Sequence, residues 1–172
     1  MTRVEPPYFP DLAFGDKTDL DDFMQQWFGK HLRSMDEPRL HSNSVADTIR
    51  ILTLPTFDEP TLVRIERHES CTVVTSKRTD GRGGYGPGRI MLDQLSDLDT
   101  SVFADTERLL REIDYWSLPV LDDACVLDGT RQIIESNIDG RYHVIERADP
   151  SKNERRLIDW LYSQSTELRN GG

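Results

Sequence analysis

The sequence predicts an α+β fold: a single mostly antiparallel sheet of about six strands with three helices, in the order α-ββββ-α-ββ-α. Three observations carry that expectation. Segments 19–34 and 99–115 repeat apolar residues at helical spacing, four short β-branched runs lie between them, and a hairpin centred on Asp139-Gly140 follows. Runs of strands separated by single helices, without strict β-α alternation, give an antiparallel sheet with helices covering a face. At 172 residues the chain reads as one domain. A chain of this size buries about 70% of its unfolded surface and needs neither disulfides nor metals to fold.

Residues 1–17, with Pro6, Pro7, Pro10 and Gly15, read as an N-terminal arm packed on the surface or left loose, and 18–172 as the domain. In 19–34 the apolar stripe is Leu20, Phe23, Trp27, Phe28 and Leu32, with Met24 and Met35 as candidates to extend it. Acids occupy its first turn and Lys30, His31 and Arg33 its last, the charge order that the helix dipole favours. Strands are expected at 49–54, 61–68, 71–78 and 89–95, bounded by Pro55, Pro60, Glu69-Ser70 and a glycine-rich run. Helix 99–115 turns Val102, Phe103, Leu109, Leu110 and Ile113 inward and ends before Pro119. Strands 131–138 and 141–147 flank Asp139-Gly140, a pair suited to a type I′ turn. A last helix, 151–165, carries Leu157, Ile158, Leu161 and Tyr162. Trp27, Phe28, Trp116 and Trp160 read as core residues rather than a cofactor box.

The net charge of −10 is unevenly spread: residues 96–130 hold nine acids and two bases, whereas 48–95 hold six acids and seven bases. An acidic chain repels phosphate backbones, so nucleic acid is an unfavourable partner, while a basic protein is steered towards the acidic block. Asp122, Asp123 and Asp128 are the candidate partner-binding residues in it. The first residues carry no apolar signal core, and no run approaches the ~20 apolar residues of a membrane span. The expected location is the cytoplasm, with no membrane partner. There Cys71 and Cys125 favour reduced thiols, with a bridge between them as the alternative.

Residues 77–89, Lys-Arg-Thr-Asp-Gly-Arg-Gly-Gly-Tyr-Gly-Pro-Gly-Arg, place five of the chain's eleven glycines in eight positions between two strands. Gly81 to Gly86 satisfy G-x-G-x-x-G, but Pro87-Gly88 and a strand follow where a dinucleotide fingerprint needs a helix N-terminus. A kinase-type loop lacks its His-Arg-Asp and Asp-Phe-Gly partners, and a Walker loop lacks Gly-Lys-Ser/Thr. The run is therefore expected to be architectural, with Asp80 capping a turn and Tyr85 packed on the sheet. A second possibility comes from register. If Glu69-Ser70 is a two-residue turn, Arg64 faces Thr75 and Leu62 faces Lys77, which puts Arg64 and Lys77 on one face. Arg64, Lys77, Asp80, Arg82, Tyr85 and Arg89, with Arg78, then form a basic rim that could hold a carboxylate or phosphate. The competing expectation is that these cations pair internally with Glu66, Asp80 and Glu135.

In the second hairpin His143 faces Ser136 and Glu135 faces Val144, so Glu135 and His143 project from opposite sides and make no acid–base pair. No nucleophile signature surrounds Cys71 or Cys125, and His68-Glu-Ser-Cys71 lacks a second pair of zinc ligands. The sequence suggests no cofactor and no metal, and leaves oligomeric state undetermined.

Trp27-Phe-Gly-Lys-His-Leu through Glu37-Pro-Arg-Leu40, Leu54-Pro-Thr-Phe57, Val63-Arg-Ile65, the run 77–89, Asp128-Gly129 with Glu135, and Gly140-Arg-Tyr-His-Val144 resemble a group of uncharacterised bacterial proteins. The similarity spans most of 20–147 and implies an α+β fold of this size and a shortlist of residues, with no activity attached. That group carries a tryptophan where this chain has Gln132, and Tyr-Ser where it has Phe28-Gly29. Two functions follow as expectations. The first is a non-catalytic interaction protein whose acidic surface binds a basic partner, a toxin-neutralising protein being one instance. The second is a small-ligand or phosphate-binding enzyme centred on the glycine run and its basic rim.

Overall fold

Six strands form one antiparallel sheet in the order β4-β3-β2-β1-β5-β6. They are β1 (Thr48–Pro55), β2 (Thr61–Arg67), β3 (Thr72–Thr79), β4 (Ile90–Leu98), β5 (Thr130–Ile138) and β6 (Arg141–Arg147). The principal helices are α1 (Thr18–Ser34), α3 (Ser101–Glu112) and α4 (Lys152–Ser163), with one-turn helices α2 (Leu40–Asn43) and α5 (Thr166–Arg169). This is the expected α+β architecture. The computed structural model describes residues 6–43, 46–124 and 126–169.

Both faces of the sheet are covered, which corrects the expectation of helices on one face. Ile49, Ile51, Val63, Ile65, Val74, Ile134 and Ile145 pack with Phe103 and Leu110 of α3 and Leu157 and Leu161 of α4. On the opposite face Leu52, Leu54, Leu62, Ile133 and Val144 pack with Phe28 and Leu32 of α1 and with Phe9 and Phe14. β1 shows the pattern that such burial leaves in a sequence. Its side chains are apolar at successive positions from Ile51 to Leu54, interrupted only by Thr53, because each face meets a core.

The described part of the arm, 6–17, is anchored in the core by its aromatic residues. Phe9 and Phe14 are fully buried, and their rings meet each other and Phe28 edge-on at 5.0 to 6.4 Å. Asp21, buried on α1, explains how a proline-rich segment is held there. Its carboxylate accepts the amides of Phe14 (2.8 Å) and Leu12 (3.2 Å), satisfying donors that the arm's irregular backbone leaves without partners.

Element boundaries moved where local chemistry intervened. α3 stops at Glu112 because Asp114 adopts a left-handed conformation (φ 53°), and a single 3-10 turn, Tyr115–Ser117, follows it. α4 begins at a capping box, in which the Ser151 hydroxyl accepts the Glu154 amide and the Glu154 carboxylate accepts the Ser151 amide. β4 extends to Leu98, three residues beyond the expected strand. The registers follow the turn arithmetic: Arg64 faces Thr75, Leu62 faces Lys77, His143 faces Ser136 and Glu135 faces Val144.

Candidate functional site

The glycine run connects β3 to β4 and lies against both α1 and the β1–β2 turn. Its amides are engaged within the protein: Gly83 N donates to Asp58 O and Gly84 N to Thr56 O, each at 3.1 Å, and Arg82 N donates to Gly86 O at 2.9 Å. Its carbonyls are held by α1. Trp27 Nε1 donates to Gly83 O (2.8 Å), Lys30 Nζ to Tyr85 O, and Ser34 Oγ to Gly88 O (2.7 Å). The glycines are needed for approach: a Cβ on Gly83 would lie 2.4 Å from Pro55 O. Asp80 Oδ1 accepts the Arg89 amide at 2.7 Å, the turn-capping role expected of it. Tyr85 behaves differently from expectation. It is not packed on the sheet but 60% exposed, with its ring 6.1 Å from that of Phe57.

Arg64 and Lys77 share a sheet face, but they converge on a carboxylate that the sequence did not single out. Glu37, in the turn after α1, is buried 3.0 Å from Arg64 Nε, 3.1 Å from Lys77 Nζ and 3.2 Å from Arg50 Nη1. Arg50 also pairs with Glu135, whose other oxygen accepts the Tyr142 hydroxyl at 2.8 Å. Arg64 pairs with Glu66 as well, and Lys77 donates to Met35 O at 2.6 Å. Burial and the Glu135 carboxylate push the Tyr142 hydroxyl far up, so it remains a donor. Burial alone would lower the Arg50 guanidinium, but Glu135 and Glu37 outweigh it and hold the group charged. Such a cluster ties the turn after α1 to four strands, and each ion has a counter-ion that offsets its desolvation. The remaining cations of the expected rim lie outside it: Arg78 pairs with Glu59 (3.1 Å), and Arg82 donates to Gly81 O (2.8 Å).

A second group of expected residues meets at the end of the sheet formed by the β1–β2 turn, the glycine run and the segment before β5. Phe23 (58% exposed), Phe57 (63%), Tyr85 (60%) and Leu127 (93%) are exposed there. A groove of about 450 Å³ runs between α1 and the loops, lined among others by Phe23, Trp27, Lys30, Tyr85, Leu127 and Asp128. Thr56 fastens its walls: Thr56 N donates to Gly129 O (2.8 Å), Gly129 N donates to Thr56 Oγ1 (3.1 Å), and Thr56 O receives the Gly84 amide. Tyr85 and Asp128, from two different expected sites, thus line one groove. Phe23 reads in sequence as part of the buried stripe, but α1 turns Asp21, Met24, Phe28 and Leu32 inward instead. The signal missed was Asp21, whose polar role in holding the arm rotates the inward face away from Phe23.

The three candidate aspartates separate. Asp123 and Asp128 are exposed, whereas Asp122 is half-buried and structural, accepting the amides of Ala148 (2.9 Å), Asp149 (3.0 Å) and Ala124 (3.3 Å). The acids of α3 are paired with cations: Asp105 with Arg108 (3.0 Å), Glu107 with Arg67 (2.9 Å) and Glu112 with Arg156 (3.0 Å). Of the exposed acids in this block, Asp128 lines the groove.

Elsewhere, His143 Nε2 lies 3.1 Å from Leu118 O, on the face opposite Glu135 and Tyr142. Cys71 is a free thiol, and Cys125 lies outside the described residues, as does any pairing between the two. Among the described residues no group of three or more His, Cys, Asp or Glu is placed to hold a metal ion, and no helix is long and apolar enough to cross a membrane. No protein-family model matches the sequence, and no curated protein matches it.

Proposed function

We propose that this protein is a non-catalytic interaction module that binds a basic protein partner through the aromatic groove at the end of its sheet, with Asp128 on its rim and the exposed Asp123 adding to the attraction. The carrying observation is the exposure of Phe23, Tyr85 and Leu127 along one groove, with the exposed Phe57 beside Tyr85. Large aromatic side chains left in water beside a half-buried tryptophan have the composition of interface hot spots. The frame beneath them is held by hydrogen bonds from Thr56 and Trp27, so binding costs little ordering of the loops. The charge excess of −10 steers a basic partner, and the acid on the rim favours its docking. Neutralisation of a basic toxin is one function that such a module performs.

The test compares two double variants, Phe23→Ala/Tyr85→Ala and Asp123→Lys/Asp128→Lys, with the wild-type chain against the basic protein that the wild type recovers from its host. Each pair is expected to weaken binding by about tenfold or more, as hot-spot truncation does, while far-UV circular dichroism stays unchanged. Equal affinity of the aromatic variant and the wild type would overturn the assignment of the groove.

A further inference from the structure

The outer edge of β4 is the largest feature that the groove does not use. β4 ends the sheet, and among the described residues no strand or bridge pairs with its outer side. The opposite edge is covered at the end of β6. Val120 O accepts the Glu146 amide at 2.7 Å, Arg147 donates to Pro119 O and Val120 O, and Leu121 forms a parallel bridge with Glu146. β4 instead leaves Met91 60% and Leu95 67% exposed along nine residues of strand. A long edge with apolar side chains is a template for another strand.

Charge selects the occupant. Asp93 and Asp97 flank Leu95 on one face, opposite Lys77 and Val73 of β3. A second copy of this chain is a poor fit at the registers centred on 93–97. Antiparallel pairing about Leu95 sets Asp93 of each copy against Asp97 of the other, and pairing about Asp93 or Asp97 sets a carboxylate against itself. Pairing about Gln94 presses Asp93 onto Leu95, and pairing about Ser96 presses Asp97 onto Leu95 and sets Asp93 against Asp99. Like charges directly opposite destabilise a sheet, and so does a carboxylate desolvated against an apolar side chain. A strand reading basic-x-apolar-x-basic places a cation opposite each acid and an aliphatic side chain opposite Leu95.

We propose that β4 receives, by edge addition, an extended segment of the partner in which lysine or arginine alternates with apolar residues in that pattern. The proposal rests on the reading that the partner is a basic protein, and adds that main-chain pairing at a second surface contributes to its capture. In edge addition the backbone hydrogen bonds supply affinity and the alternate side chains supply selectivity.

The probe is a synthetic Thr-Lys-Thr-Val-Thr-Lys-Thr peptide titrated into the full chain, read by amide exchange and by amide chemical shifts. The expected result is slowed exchange at 91–97, affinity lowered about tenfold by Asp97→Lys through one lost opposite-charge pair and one new repulsion, and no binding by the same peptide N-methylated at alternate amides. Leu95→Thr, which leaves every charge in place, should weaken binding too. An N-methylated peptide that binds as well as the parent, or unchanged exchange across β4, would overturn the proposal. The Phe23→Ala/Tyr85→Ala variant should bind this peptide like the wild type. Failure of the groove assignment and failure of edge addition are therefore read separately.

Discussion

His31 shows what a single buried group does to this fold. It is fully buried on α1, and neither ring nitrogen has a well-formed hydrogen bond. Burial, with the nearby Lys30 charge adding to it and the Gly83 carbonyl opposing, lowers its pKa to about 4. The unfolded chain binds the proton near 6.5, so His31 contributes stability that is complete above about pH 6.5 and is lost as the pH falls towards 4. Linkage sets that loss at about 2 kcal/mol by pH 5. His31→Leu should flatten this part of the dependence, so chemical denaturation at pH 7 and pH 5 should show a smaller drop in the variant than in the wild type. An equal drop would assign the acid sensitivity to other groups. The same residue shows the limit of sequence reading, since His31 reads as a cation completing the last turn of α1, and only the packing of that turn against the glycine run shows it neutral. Glu37 is the complementary case. Register placed Arg64 and Lys77 on one face correctly, but their counter-ion comes from a turn far away in sequence, where no periodicity constrains a side chain's direction. Arg50, a lone cation in an otherwise apolar strand, was the available hint that a buried acid had to meet it.

At the scale of elements, local pattern was sufficient wherever local chemistry decided the outcome. The β2–β3 register, the Asp139-Gly140 hairpin and the Asp80 cap follow from turn length, alternation and side-chain reach, whereas the β1–β5 pairing that joins the two halves of the sheet does not. Proline content describes the arm's backbone shape and says nothing of where Phe9 and Phe14 go once Asp21 secures the amides of Leu12 and Phe14. The second helical layer was missed for a related reason: the near-continuous apolar run of β1 is the mark of a strand buried on both faces. The glycine run is legible as a strap, although its dependence on α1 is not. Gly83→Ala tests that dependence. Its Cβ would meet the backbone of Leu54 and Pro55 at 2.4 to 2.7 Å, where neither side can yield cheaply, and overpacking of this kind costs about 1–3 kcal/mol. A lowered melting temperature together with changed fluorescence of Trp27, whose indole donates to Gly83 O, is the expected result. Wild-type stability in this variant would mean that the strap is free to shift.

For the whole molecule, the distribution of charge and exposed apolar surface defines its behaviour more than any one group. Cations of the basic block are drawn into ion pairs with Glu37, Glu66 and Glu59, and the acids of α3 are matched by Arg67, Arg108 and Arg156. The large exposed apolar side chains gather at the aromatic end of the sheet, with Phe23, Phe57, Tyr85 and Leu127, and along β4, with Met91 and Leu95. Composition revealed the excess of acids, but only the fold shows which of them are engaged. The central claim is that the aromatic end is the docking surface, and hydrogen exchange of the free and partner-bound protein tests it most directly. Slowed exchange in 23–30, 56–58, 83–86 and 126–129 is expected on binding the basic partner. Protection confined to the acidic face of α3, with those four segments unchanged, would contradict it.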